Sequence, residues 1–121
     1  MPAYAKVALV TPTFHPSDVA FAISWSNSAP GLGSWRVLLD KPIGAESISV
    51  IPPGSDEPVF FVSRSGSGVL LERQPPHGER DEVGRFLGLR EALLALCPLA
   101  DTTLEEIQVG LERDFPRHGR R

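Results

Sequence analysis

The stretch VFFVSRSGSGVLLER, residues 59–73, indicates how this chain folds. Two apolar runs of the residue types common in strands flank the segment SRSGSG. Glycine readily adopts the positive φ that a tight hairpin turn requires. The pattern therefore predicts a β-hairpin that turns at residues 65–68.

The serine between the two glycines raises the alternative of a catalytic or phosphate-binding loop. A nucleophile elbow needs G-x-S-x-G between a strand and a helix, whereas here G-S-G lies between two strand-like runs. A phosphate-binding loop of the Walker type needs a lysine after its last glycine, and none follows. We interpret the serine as a solvated turn residue.

The run VFFV has no polar alternation, so both faces of its strand are expected to be covered. Helices of the same chain can cover one face. The other face needs the curl of the sheet, a loop or a partner chain. We therefore predict an interface at Val59, Phe60, Phe61 and Val62.

Four further strands are predicted before the hairpin, separated by turns rich in proline and glycine. They cover residues 4–10, 18–26, 35–40 and 46–51. The clearest signal is DVAFAISWS, residues 18–26, in which large apolar residues alternate with small ones. This period of two would place the large side chains on one face of a sheet.

From residue 81 the apolar positions follow a helical spacing up to Cys97. Gly84 and Gly88 begin a stripe of small residues on this predicted helix, which would let another backbone approach closely. A second helix is predicted from a capping-box spacing at Thr103 and Glu106 and from an apolar face of Leu104, Ile107, Leu111 and Phe115. It ends before Pro116.

Together these patterns predict an α+β fold with a mostly antiparallel, meander-like sheet of about six strands. Two C-terminal helices would follow and pack on one face, which carries Val19, Phe21, Ile23 and Trp25. Residues 1–116 form the predicted single domain. Residues 117–121, RHGRR, are expected to be a disordered basic tail. Such a tail could contact nucleic acid or an acidic partner, or fold back on the acidic helix before it.

Composition narrows the classes of function. The net charge of −3 argues against a dedicated nucleic-acid-binding protein, because phosphate neutralisation needs a surplus of Lys and Arg. The single cysteine cannot form an internal disulfide, which favours a reducing cytoplasm. No apolar stretch is long enough to span a membrane. The bias toward arginine, proline and glycine suggests a bacterial source.

Three groups of residues are candidates for chemistry. His77 with Glu79 and Asp81 could bind a divalent metal or transfer protons, and could equally form a solvated loop before a helix. His15 and Asp18 could form a histidine–carboxylate pair, or a turn. Cys97, on the apolar face of a predicted helix, is interpreted as a core residue.

Trp25 and Trp35 lie at the ends of predicted strands that flank the loop at residues 29–34. They could line a pocket for a small apolar ligand, to which Arg36 and Arg90 would add charge for an acidic ligand. Alternatively, both indoles close the core.

No motif in the chain is specific enough to assign a family or a cofactor. The leading prediction is a non-enzymatic interaction or regulatory module, which is a homodimer or a subunit of a larger assembly. The alternatives are a small-molecule-binding protein with a pocket at Trp25 and Trp35, and an enzyme or metal site that uses the His77 loop.

Overall fold

The computed structural model describes residues 14–29, 34–39 and 46–116, which form an α+β fold as the sequence predicts. The predicted strand at residues 4–10 lies outside this range. The described elements, in chain order, are α1 (Pro16–Ser28), β1 (Arg36–Leu39), β2 (Ser47–Ile51), β3 (Phe60–Ser65), β4 (Gly68–Arg73), β5 (Asp81–Phe86), α2 (Leu89–Leu96) and α3 (Asp101–Asp114).

The five described strands form one antiparallel sheet in the order β1-β2-β3-β4-β5, a meander in which each strand pairs with its neighbour in the chain. The predicted hairpin is confirmed, because Ser65 pairs with Gly68 and the turn lies between them. Gly66 has a φ of +62°, which a glycine adopts without strain. Five strands are described where about six are predicted: residues 81–86 form a strand that the sequence does not predict, and the segment at residues 18–26 is a helix.

That helix is α1. His15 is its N-cap, Pro16 lies at its first position and Asp18 in its first turn, which are signals of a helix start. The buried residues Val19, Ala22 and Trp25 follow a helical stripe, while Ile23 is 45% exposed. The large residues of the predicted strand therefore do not share one face.

The long helix predicted from residue 81 is also wrong in its first part. Residues 81–86 form β5, which pairs with β4 and contains a register shift beside Leu71 and Glu72. Gly84 lies opposite Leu71 in this strand, whereas Gly88 is the N-cap of α2. The predicted stripe of small residues along one helix therefore does not exist.

The second predicted helix is confirmed as α3, but its start differs. Ala100 is the N-cap and makes no side-chain capping hydrogen bond, so the predicted capping box at Thr103 and Glu106 is wrong. Phe115 is the C-cap and Pro116 follows it, where proline is compatible with the end of a helix.

The core lies between the helices and one face of the sheet, which we call the inner face. Its fully or almost fully buried residues are Ile48, Val50, Val62, Val69 and Leu71. They form one apolar cluster with the buried residues of α1, α2 and α3. Helices α1 and α2 pack against the sheet, whereas α3 packs on α1. The prediction of two C-terminal helices on the face of a strand that carries Val19, Phe21, Ile23 and Trp25 is therefore not matched, because those four residues belong to α1.

Candidate functional site

The opposite face of the sheet, which we call the outer face, carries the alternate residues of the same strands. Its members include Leu38, Ser47, Ser49, Ile51, Phe61, Ser63, Leu70 and Glu72. Charged residues flank them, since Arg36 lies opposite Ile51 and Arg85 lies opposite Leu70 and donates to Ser65 Oγ at 3.1 Å. Helices α1, α2 and α3 contribute their buried residues to the core on the other side. None of the described helices therefore covers the outer face.

Serines lie beside large apolar side chains in two rows across the outer face. Leu38 lies opposite Ser49, and Ser49 lies opposite Phe61 on the next strand. In the neighbouring row, Ser63 lies between Ser47 and Leu70. Serine side chains are short, so each leaves a depression beside a protruding apolar side chain. Leu38 is 49% exposed, and Phe61 and Leu70 are half-buried.

One end of the outer face is closed by the β2–β3 loop, residues 52–59. Ile51 belongs to this face by register but is only 3% exposed. Arg36, which lies opposite Ile51, donates a hydrogen bond from Nη2 to the carbonyl oxygen of Ser55, 3.0 Å away. The exposed part of the face therefore lies towards Leu38, Phe61 and Leu70.

Phe61 carries a cationic cap. The guanidinium carbon of Arg80 lies 3.6 Å from the centre of the Phe61 ring, and Arg80 Nη1 is 3.7 Å from Glu72 Oε1. Arg80 ends the β4–β5 loop, which Gln74 braces by donating to the carbonyl oxygen of Gly78 at 2.9 Å. Arg80 thus covers part of the outer side of β3, the strand for which the VFFV run predicts that both faces are covered.

The helices form a second candidate site, which we call the helical cleft. It has a volume of about 680 Å³, within the usual range of ligand sites. Its lining comes from the start of α1, from α2 and from the end of α3. The residues are His15, Pro16, Ser17, Arg90, Gln108, Leu111, Glu112, Asp114, Phe115 and Pro116.

A polar network across this cleft joins all three helices. Arg90 donates from Nη1 to Gln108 Oε1 at 3.1 Å, and Gln108 donates from Nε2 to Glu112 Oε2 at 3.0 Å. Arg90 Nε also lies 3.9 Å from Asp18 Oδ1, and its guanidinium faces the ring of Phe21 at 5.2 Å. The charge of Arg90 is therefore already engaged, which disfavours an acidic ligand in this cleft.

His15 acts as a helix cap. Its Nδ1 accepts a hydrogen bond from the backbone N–H of Ser17 at 3.0 Å, and its ring packs edge-on against Phe115 with centroids 6.3 Å apart. The carboxylate of Asp18 lies beside Arg90, and the hydrogen bond described between Asp18 and His15 runs from the backbone N–H of Asp18 to the carbonyl oxygen of His15, at 2.9 Å. The hypothetical histidine–carboxylate pair is thus not formed among the described residues.

The predicted ligand-binding residues do not converge on one site. The rings of Trp25 and Trp35 are 5.3 Å apart, but Trp25 is fully buried and donates from Nε1 to the carbonyl oxygen of Cys97 at 3.0 Å. Arg36 contacts the β2–β3 loop, whereas Arg90 contacts α3. Both tryptophans pack in or against the core cluster, and Cys97 is a buried core residue as expected.

The predicted interface residues divide between the two faces. Val62 is fully buried on the inner face, and Phe60 packs against the core from the same side. Phe61 lies on the outer face. The backbone N–H of Val59 donates to the carbonyl oxygen of Val50 at 2.9 Å just before β3 begins. Phe61 is therefore the member of the VFFV run that faces away from the helices.

The His77 loop places its side chains in solvent. His77 and Glu79 are exposed, and Asp81 pairs with Arg73 at 3.2 Å. In the described parts of the chain, no three His, Cys, Asp or Glu side chains are grouped to hold a metal ion.

Sequence reasoning did not single out most residues of either surface. For the outer face the signal was present in SISVI, residues 47–51, where serine alternates with buried aliphatic residues. For the helical cleft no local pattern could bring His15 and Glu112 together, because they lie on opposite ends of the described chain.

Comparisons with known proteins add no relative: no family model, no curated protein and no solved structure matches this chain. Among the described helices, none has the length and apolar character needed to cross a membrane.

Proposed function

We propose that this protein is a non-catalytic interaction module that self-associates through the outer face of its sheet. The observation that carries this proposal is the alternation of protruding apolar residues with serines on that face. Leu38 and Leu70 supply protrusions, Phe61 lies beneath the Arg80 guanidinium, and Ser49 and Ser63 supply depressions beside these side chains.

A second copy of the chain fits this pattern because a twofold interface brings the same patch of each subunit together. Protrusions of one copy then meet depressions of the other. Two sheets stacked face to face interdigitate their side chains in this way at a separation of about 10 Å. The outer face provides both halves of such a contact.

The non-catalytic part of the proposal rests on how the candidate reactive groups are used. His15 caps α1 through Nδ1, Asp18 lies beside Arg90, and Cys97 is buried in the core. Each of these groups has a structural role that explains its position. The buried thiol of Cys97 also suits a reducing compartment such as the cytoplasm, where we place the protein.

The test is the solution mass of the full chain, measured by light scattering across a dilution series. We expect a dimer whose dissociation constant rises at least about 100-fold in the variant Leu38→Lys/Leu70→Lys. Fully burying a leucine side chain stabilises by about 1.5–3 kcal/mol, but Leu38 and Leu70 are already half-buried in the monomer. Each substitution occurs twice in a twofold interface, so the expected loss is at least about 3 kcal/mol.

The matched control is Ile23→Lys/Val109→Lys, which changes two exposed apolar residues on α1 and α3 by the same charge. It should leave the dissociation constant unchanged. A wild-type chain that stays monomeric at every concentration would refute self-association. Equal dissociation of the control and the outer-face variant would show that this face is not the interface. Thermal unfolding confirms that each variant is folded.

A further inference from the structure

Arg80 covers the aromatic member of the outer face, since its guanidinium carbon lies 3.6 Å from the centre of the Phe61 ring. The strand that carries Phe61 lies between the strands that carry Leu38 and Leu70. We propose that the stack of Arg80 on Phe61 is an autoinhibitory contact. It opens before a second copy of the chain docks, and the uncovered ring then joins the interface. This inference rests on the self-association proposed above.

The spacing of stacked sheets leaves no room for the closed stack. Two sheets packed face to face lie about 10 Å apart, and the side chains of both fill the layer between them. The guanidinium of Arg80 occupies the space directly over the Phe61 ring, where a side chain of the second copy has to lie. Burying the guanidinium in that layer would also remove a charge from water, which is unfavourable.

The contacts that hold the stack closed are weak. Arg80 Nη1 lies 3.7 Å from Glu72 Oε1, whereas the neighbouring ion pair of Arg73 and Asp81 is 3.2 Å long. The side chain of Arg80 is 47% exposed. A cation–π contact or an ion pair at such an exposed site contributes little stability. Water can therefore replace both contacts when the guanidinium leaves the ring.

The backbone on either side of Arg80 is held, so only its side chain has to move. The backbone N–H of Gln74 donates to the carbonyl oxygen of Val59 at 2.7 Å, and Gln74 Nε2 donates to the carbonyl oxygen of Gly78 at 2.9 Å. Asp81, the next residue, begins β5. Opening the stack is thus a change of rotamer, which an exposed side chain makes within nanoseconds.

The test compares Arg80→Ala with the wild type by light scattering across a dilution series of the full chain. We expect the dissociation constant of the dimer to fall about tenfold, because two exposed cation–π contacts no longer have to open for each dimer. The matched control is Arg73→Ala, which also removes a half-exposed arginine from an ion pair but lies opposite Phe60, on the inner side of the sheet. It should leave the dissociation constant unchanged.

A double-mutant cycle separates the release of the ring from a general effect of charge. Phe61→Leu keeps an apolar side chain but removes the aromatic face, so Arg80→Ala in that background should change the dissociation constant less than about twofold. Equal gains in both backgrounds would mean that the charge of Arg80 opposes association without covering the ring, and would overturn the inference. Thermal unfolding confirms that each variant is folded.

The outcomes also distinguish this inference from the proposed function. If Leu38→Lys/Leu70→Lys keeps the wild-type dissociation constant, or if every variant stays monomeric, the outer face is not the interface and both fail. If that variant dissociates while Arg80→Ala binds no more tightly than the wild type, the outer face stands as the interface and the autoinhibitory contact alone is refuted.

Discussion

Strand β2 shows the difference between the two faces of the sheet within five residues. Ile48 and Val50 point to the inner face and are fully buried, whereas Ser47 and Ser49 point to the outer face and are half-buried. The backbone is the same, and only the period of two separates the two sets. The inner residues hold the fold together, whereas the outer residues are the ones that we propose for self-association.

This division has an energetic basis. A fully buried aliphatic side chain stabilises the fold by about 1.5–3 kcal/mol, whereas a half-exposed serine contributes little. Substitutions on the outer face can therefore change binding with little effect on stability. The comparison between the faces predicts that stability and self-association are lost through different sets of residues.

The largest effect on the free energy of unfolding is expected at Trp25, the largest fully buried side chain among the described residues. Trp25→Ala should lower the free energy of unfolding by about 4 kcal/mol, because it leaves a cavity and removes the donor to the carbonyl oxygen of Cys97. Ile23→Ala, on the exposed side of the same helix, should change it by less than about 0.5 kcal/mol. Denaturant unfolding measures both, and similar losses would contradict the described orientation of α1.

A smaller effect on the free energy of unfolding is expected within β2, where neighbouring residues point to opposite faces of the sheet. Ile48→Ala should cost about 3 kcal/mol because the side chain is fully buried. Ser49→Ala should change stability by less than about 0.5 kcal/mol. If chemical denaturation showed a large loss for Ser49→Ala, the outer face would have to be more densely packed than described.

The smallest effect concerns the cationic cap on the outer face. Arg80→Ala should lower the free energy of unfolding by about 0.5–1 kcal/mol, because the guanidinium stacks on Phe61 and lies beside Glu72. Arg85→Ala, which removes an exposed ion pair to Glu82 and an exposed hydrogen bond to Ser65, should cost less. Calorimetric unfolding of the two variants checks the order, and the reverse order would argue against a stabilising stack.

Local signals were sufficient for part of this fold. The hairpin between β3 and β4 could be predicted because glycines at a turn and β-branched flanks act over a few residues. Helix α3 was predicted for a similar reason, since Leu104, Ile107 and Leu111 repeat over a long enough stretch. The α+β class could be predicted because strand-like runs occur in the first part of the chain and a helical repeat occurs in the last part.

The errors arose where two periods fitted the same residues. Val19, Phe21, Ile23 and Trp25 alternate, yet Val19, Ala22 and Trp25 also follow a helical stripe. The start signals at His15 and Pro16, and the alanines at 20 and 22, favoured the helix. In β5, Val83 seemed to mark a helical core position but is 49% exposed beside the register shift.

The outer face and the helical cleft were harder to predict from the sequence than the fold. Which face of β2 becomes the outer face depends on where α1, α2 and α3 pack, and these contacts join distant parts of the chain. The helical cleft likewise requires His15 and Phe115 to meet. No short pattern contains that information.

The hydrogen bond between Trp25 and Cys97 joins residues 72 positions apart in sequence, while every strand pairs with its neighbour. Contacts between neighbouring strands close short loops and form early, whereas docking α1 requires a long loop to close. We therefore expect the meander to assemble first and α1 to dock late. Until it docks, the aliphatic residues of the inner face remain partly exposed to water, so the chain is most prone to aggregate during that interval of folding.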